Sequence, residues 1–215
     1  MKTELSVTTP EGLNENFPGQ FEVGRWLDNI ISFPMQIFIV TTKKKNGLNN
    51  AQLNSWGITA GPGSNPYFIF QDMEYTDTYK LIKENGEFII NLFPKRIRDK
   101  AFKTTQHYAE DIDEVIESGL TPIEGLKTNA CRIEECVAHY ECKLEWTKEL
   151  GKGHVLVCGK IVSASVDNDL LSGDLEEILK SSDIMFYLKS PIDCSNGWKV
   201  SEKYYYGTMS TEIFE

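Results

Sequence analysis

Three sets of side chains in this sequence are placed to do chemistry. Between Gly47 and Trp56 the chain reads Gly-Leu-Asn-Asn-Ala-Gln-Leu-Asn-Ser-Trp, which sets Asn50, Gln52, Asn54 and Ser55 beside an indole. Amides and hydroxyls donate and accept, and Trp56 offers a flat apolar face, so the segment can bind a planar polar ligand. The alternative is a solvated edge strand. Thr78 follows Thr76 and Asp77, either of which can cap a helix that Gly86 ends. It is a first-turn structural hydroxyl, or part of a helix N-terminus whose free N–H groups and dipole favour phosphate. His154 opens an apolar strand, either as a hydrogen-bonded structural residue or as a donor at a site, its tautomer set by its second partner.

The elements that must position these groups are mostly strands. Pro34–Thr42 is apolar and β-branched, and Asn46-Gly47 is a turn pair that accepts positive φ, so a hairpin leads into the amide segment. Residues 60–66 are turn-rich, and Tyr67–Gln71 returns as a strand. Glu87–Leu92 is another strand. The basic segment Pro94–Gln106 carries Lys95, Arg96, Arg98, Lys100 and Lys103, a solvated face or a source of cations for a phosphate. A short helix is expected over 111–117, one long strand from Cys131 to Trp146, and a returning strand from His154 to Val166. A helix over 172–182 and a strand over 184–188 follow. Cys131, Cys136 and Cys142 lack metal-ligand spacing, and residues six apart on one strand lie about 20 Å apart, so they read as buried thiols.

Several blocks, in order, carry a resemblance. They are Pro34–Thr42, Asn50-Ala51-Gln52-Leu53-Asn54-Ser55-Trp56, Thr78 before Leu81-Ile82, and Gly86–Leu92. Tyr140–Leu144 and Gly153–Val162 complete the set. Together they resemble the flavin reductase-like family, nearest its flavoredoxin-like branch, over roughly residues 34–166. The resemblance implies a mainly β fold with flanking helices, a Greek-key split β-barrel that binds FMN. It implies cofactor contacts from Asn50, Ala51, Gln52, Leu53, Asn54, Ser55, Trp56, Thr78 and Asn91. Lys100 and Lys103 are the candidate cations, and His154 the candidate catalytic residue beside the flavin or nicotinamide. NAD(P)H would act as a transient reductant, and the barrels would pair as a homodimer with flavin near the subunit contact. One position departs from the family: Glu114 stands where the flavoredoxin-like branch often has a lysine that reaches the cofactor. Near a phosphate that exchange replaces attraction with repulsion. Either Lys100 or Lys103 takes over, or Glu114 points away, or flavin binding weakens.

The function expected is an FMN-binding oxidoreductase that moves a hydride from NAD(P)H to flavin and passes electrons to a flavin or small redox acceptor. A non-catalytic FMN electron carrier and a flavin-free member binding another ligand in the same cleft are the alternatives. At 215 residues the chain suits one barrel domain over 34–190, an arm over 1–33 in which Trp26 anchors to the body or stacks at a site, and an aromatic tail over 191–215 that packs on the barrel or a partner subunit. A net charge of -10 speaks against a nucleic-acid partner. No apolar run is long enough to span a membrane, and an acidic, Thr-rich start is unlike a signal peptide. Five cysteines, an odd number without small-domain spacing, fit free thiols in a reducing cytoplasm. No G-x-G-x-x-G stretch follows a strand, so a Rossmann nicotinamide site is unsupported.

Overall fold

The computed structural model describes residues 34–189, 192–193, 199–200 and 205–208. The expected N-terminal arm with Trp26, and Trp198 and Tyr204 of the tail, lie outside them. In chain order the elements are β1 (Met35–Gln36), β2 (Phe38–Lys43), β3 (Asn49–Asn54), β4 (Gly57–Ala60), β5 (Tyr67–Met73), α1 (Asp77–Asn85) and β6 (Glu87–Leu92). After a 3₁₀ turn come α2 (Arg98–Lys103), α3 (Glu114–Glu117), β7 (Pro122–Glu124), β8 (Cys131–Ile133), β9 (Ala138–Gly151) and β10 (His154–Val166). A second 3₁₀ turn precedes α4 (Leu175–Ser181), β11 (Met185–Lys189), β12 (Ile192–Asp193), β13 (Lys199–Val200) and β14 (Tyr205–Thr208). The chain divides into two units, one spanning Gln36–Met185 and one taking in the described residues from Phe186 to Gly207.

The larger unit is built on an antiparallel sheet in the order β3-β2-β6-β9-β10-β5-β4. Its two ends are the halves of one bent strand, because β3 runs into β4 through Ser55 and Trp56. At the bend the Asn54 side chain accepts from Trp56 N at 2.9 Å and donates to Gln71 O at 2.9 Å, while Gln71 N donates to Trp56 O at 2.8 Å. The sheet thereby closes on itself as a barrel. Inside it Phe38, Val40, Phe68, Phe70, Phe88, Ile90, Val155 and Val157 form the core, their period-2 spacing matching the pleat. The Phe38 and Phe68 rings meet edge to face at 5.0 Å. A Cβ on Gly159 would collide with the Phe88 ring and with Cys142 Cβ, so only glycine lets β9 and β10 lie over that ring.

Helix α1 connects β5 to β6 and packs against β2, β3 and β6, adding Tyr79 and Ile82 to the core. Thr76 caps it, its hydroxyl accepting from Tyr79 N at 3.1 Å. Gly86 ends it at φ 70°, in the left-handed region. The β2–β3 hairpin turns at Asn46-Gly47, Gly47 taking φ 87° as that pair predicts.

A second layer covers the outer face of β2 and β6, where Ile39, Thr41, Ile89 and Asn91 are wholly enclosed. Here one expectation fails. Cys131 to Trp146 is not one strand: a turn in which Cys136 N donates to Ile133 O at 3.0 Å separates β8 from β9. β8 pairs instead with β7 and is fastened to the barrel by Thr41 Oγ1 donating to Cys131 O at 2.5 Å. Ile133 N adds a bond to Asn91 Oδ1 at 3.0 Å. Ile39 and Ile89 on the outer face of β2 and β6 need a cover and the enclosed Thr41 and Asn91 need partners, and those demands outweigh the weak alternation in the sequence.

In the smaller unit β11 neighbours β14, β12 pairs with β13, and the rings of Tyr187 and Tyr206 stand 5.6 Å apart.

Candidate functional site

The β2–β3 register decides what the amides do. Asn54, Gln52 and Asn50 stand opposite Phe38, Val40 and Thr42, and Phe38 and Val40 point into the barrel, so all three amides point inward too. Asn50 and Gln52 meet the N-terminal end of α1 in a polar network at the barrel's end. Thr78 Oγ1 donates to Asn50 Oδ1 at 2.7 Å. Asn50 Nδ2 and Ala51 N donate to Glu114 Oε2 at 3.0 and 2.9 Å. Lys44 Nζ meets Glu114 Oε1 at 3.0 Å, with side chains 2% and 7% exposed, and also donates to the carbonyls of Ala109 and Ile112. Glu114 therefore turns away from solvent and is neutralised by a cation of the same chain. Asp113 positions it as the N-cap of α3, its carboxylate accepting from Ile116 N at 3.1 Å.

Beside this network Gln52 Nε2 donates to Asp72 Oδ1 at 3.0 Å, and Thr76 Oγ1 lies 3.2 Å from Asp72 Oδ2. Burial pushes the Asp72 carboxyl above its usual range, against the bonds from Gln52, Met73 N and Thr76 that lower it. Gln52 Oε1 is buried and has no partner.

The outward face of β4, β5 and β10 is different in kind. Trp56 is 40% exposed and sits across from Gln71. Gln71 Nε2 lies 3.0 Å from His154 Nδ1. With the Gln71 amide nitrogen as donor, Nδ1 is the acceptor, which leaves Nε2 as the ring nitrogen free to face a ligand. Ser55 lies half-buried at the bend before Trp56. The next row outward is apolar across four strands: Ile58 faces Ile69, Ile69 faces Cys158, and Cys158 faces Trp146. Ile58 and Trp146 are exposed.

The remaining expected site residues lie elsewhere. Asn91 is enclosed, donating to Ile39 O and Thr41 Oγ1 and accepting from Ile133 N, and so ties β8 to the barrel. Leu53 pairs with Ile39 on the opposite face of β3 from Gln52. Lys100 reaches Glu135 at 3.4 Å, and Lys103 is exposed on α2. The structure thus joins Asn50, Ala51 and Thr78 in one place and Trp56 and His154 in another. Gln71, Asp72 and Lys44 were missed, although strand parity marks them. Lys44 continues the inward series Phe38, Val40, Thr42, and Gln71 continues the outward series from Ile69.

A cavity of about 460 Å³ opens beside the β7–β8 hairpin, lined by Lys43, Asn49, Glu124, Thr128, Asn129 and Cys131 among others. None of the expected site residues lines it. The Cys131 thiol is pushed up to about 12 by burial, which leaves it a poor nucleophile. Among the described residues no group of three or more His, Cys, Asp or Glu side chains could hold a metal ion. No helix there is long and apolar enough to cross a membrane.

A closed antiparallel barrel with a plugging helix and a hairpin cover defines the class, a mainly β split barrel. Residues 30–183 match the flavin reductase like domain, and the chain belongs to that family. An uncharacterized protein of Methanothermobacter thermautotrophicus is 30% identical over 142 residues, 64% of this chain and 66% of that protein. The chain spans between 53% and 66% of the length of the curated relatives it matches. Among solved structures it is similar to nitrilotriacetate monooxygenase component B of Bacillus cereus, with a TM-score of 0.77 at 19% identity over 100% of both chains. It is also similar to flavoredoxin of Desulfovibrio vulgaris (Miyazaki F), with a TM-score of 0.68 at 20% identity over 85% of this chain and 91% of that one. At these identities the likeness concerns the fold.

The family implies a flavin, and the two places differ in how they suit one. The outward face offers an exposed indole, an amide and an imidazole N–H, the partners that a flat ring edged with carbonyls and ring nitrogens requires. The barrel's end offers little to a phosphate, because Thr78, Asn50, Ala51 N and Lys44 are already bonded within the chain. The residues fit the ring and not the phosphate.

Proposed function

We propose that this chain is a flavin reductase that moves a hydride from NAD(P)H to a flavin, which passes the electrons to another flavin or a small redox acceptor. The observation that carries the reading is the exposed Trp56 beside Gln71 and His154 on one open sheet face. The flavin supplies the redox chemistry. Trp56 would give its ring an apolar surface, and Gln71 holds His154 in the tautomer whose Nε2–H can donate to a carbonyl or ring nitrogen. A nicotinamide would approach the ring from this face without a separate dinucleotide domain.

The adjoining row Ile58, Ile69, Cys158 and Trp146 is an apolar sheet face, and a second copy of the chain would cover it, placing the ring site near the subunit contact. Light scattering would test this: the protein as a dimer, and Ile58→Asp shifting it toward monomer.

The test of the function is NAD(P)H oxidation by the purified chain with added flavin. Steady oxidation supports the reductase. Flavin binding without oxidation would leave an electron carrier, and no flavin binding would sink both. Trp56→Ala should change the fluorescence of bound flavin; an unchanged signal would remove Trp56 from the site.

A further inference from the structure

We infer that this chain recognises a flavin by its ring and is indifferent to the 5′-phosphate, so that riboflavin and FMN serve it equally as substrates. This rests on the flavin reading above and deepens it. Among the described helices α1 alone has eight or more residues, and its N-terminal end would be the natural seat for a phosphate. At that end Tyr79 N is taken by Thr76 Oγ1, and the donors beside it, Asn50 Nδ2, Ala51 N, Lys44 and the Thr78 hydroxyl, are already engaged within the chain.

The carboxylate of Glu114 takes the donors that an anion would seek beside that end. It accepts from Asn50 Nδ2 and Ala51 N and pairs with Lys44, while Thr78 spends its hydroxyl on Asn50. The other charges near the first turn are of the wrong sign or already matched. Asp72 lies under Thr76, and Asp77 faces Lys80 at 3.4 Å and His107 at 3.8 Å. A phosphate would have to expel a carboxylate that is tethered, enclosed and bonded. Its donors reform their bonds to Glu114 without delay, because that group is part of the chain. The net charge of -10 adds a long-range repulsion that salt screens.

Titration of the full chain with riboflavin and with FMN, followed by flavin fluorescence, tests this directly. The expected dissociation constants agree within about threefold, well under the tenfold step worth about 1.4 kcal/mol. FMN should bind no more weakly at 0.5 M salt than at low salt, since no ion pair to the phosphate is there to screen. FMN tighter than riboflavin by about tenfold or more, with affinity falling as salt rises, would overturn the inference while leaving the flavin reading intact. Binding of neither flavin would instead bring down the flavin reading itself, and the inference with it.

Two variants assign the cause. Glu114→Gln keeps an acceptor for Asn50 and Ala51 N but frees the charge of Lys44. It should tighten FMN several-fold and leave riboflavin unmoved, with folding verified by circular dichroism. No change in the ratio would overturn the role given to Glu114. An FMN preference in the parent chain that disappears in Lys103→Met would place the phosphate on α2 and refute the inference.

Discussion

Lys44 and Glu114 meet at 3.0 Å with almost no solvent on either side chain, joining the end of the β2 hairpin to the first turn of α3. Each charge is supported by further bonds, Lys44 by two carbonyls and Glu114 by an amide and a backbone N–H. A pair enclosed this way costs most when one member is removed. Lys44→Met should destabilise the chain by about 3–5 kcal/mol, because it strands a buried carboxylate. Replacing both, as Lys44→Met with Glu114→Leu, should cost clearly less than the two single changes summed. Urea unfolding of the four proteins measures the coupling, and strict additivity would show that the two charges act independently.

Asp72 should make stability fall as pH rises. Burial raises its pKa in the folded chain, so the folded state holds that proton to higher pH than the unfolded state does. Stability then declines above the unfolded value as the enclosed carboxylate is forced to ionise. Asp72→Asn removes this cost, and its amide can donate to Thr76 Oγ1 where the carboxylate accepts. The variant should gain on the parent between pH 5 and pH 8, and an identical pH profile would count against the assignment.

Glu141 should do the opposite. Burial pushes its pKa up, but the N–H groups of Leu126, Lys127 and Thr128 and the Thr128 hydroxyl outweigh this and hold it below its ordinary value. Its stabilisation is complete above the unfolded pKa and is lost as pH falls through the depressed folded one. Glu141→Gln should cost on the order of 2–3 kcal/mol near neutral pH, since it weakens several charge-assisted bonds at once. Hydrogen exchange should show the loop over 125–129 opening first in acid. Protection lost uniformly across the barrel would contradict this.

Gly159→Ala should be among the most damaging of small changes. The added methyl meets the Phe88 ring and Cys142 Cβ inside a packed barrel, where neither neighbour can withdraw. A loss of about 2–3 kcal/mol is expected, read as a lowered thermal midpoint. Gly47→Ala, at φ 87° in a turn with open space around it, should cost less, through backbone strain alone.

The barrel was legible in the sequence because its signals are local. Apolar strands, the Asn46-Gly47 turn, the Thr76 cap and the Gly86 stop each act within a few residues and agree with one another. The break between β8 and β9 was not, because it answers to the outer face of β2 and β6, where Thr41 and Asn91, about forty or more positions away, bond β8. The same holds for the site. Trp56 and His154 could be chosen by residue type, but the direction of Asn50, Gln52 and Asn54 depends on pairing with Phe38 and Val40. Glu114 was visible as an exchange of charge. That it is answered by Lys44, seventy positions earlier, required the fold.

The bend at Ser55 gives the barrel a seam. Residues before it take their register from β2 and residues after it from β5, and the Asn54 side chain clasps the two at the corner. One extra residue inserted there would leave Asn50 and Gln52 in place while exchanging the faces of everything in β4. Ile58 would turn toward the interior and Gly57 would leave the aromatic rings it lies against. Length at this seam is therefore under tighter constraint than composition. Loops between complete strands are free to grow, whereas this two-residue corner can change its side chains but not its count.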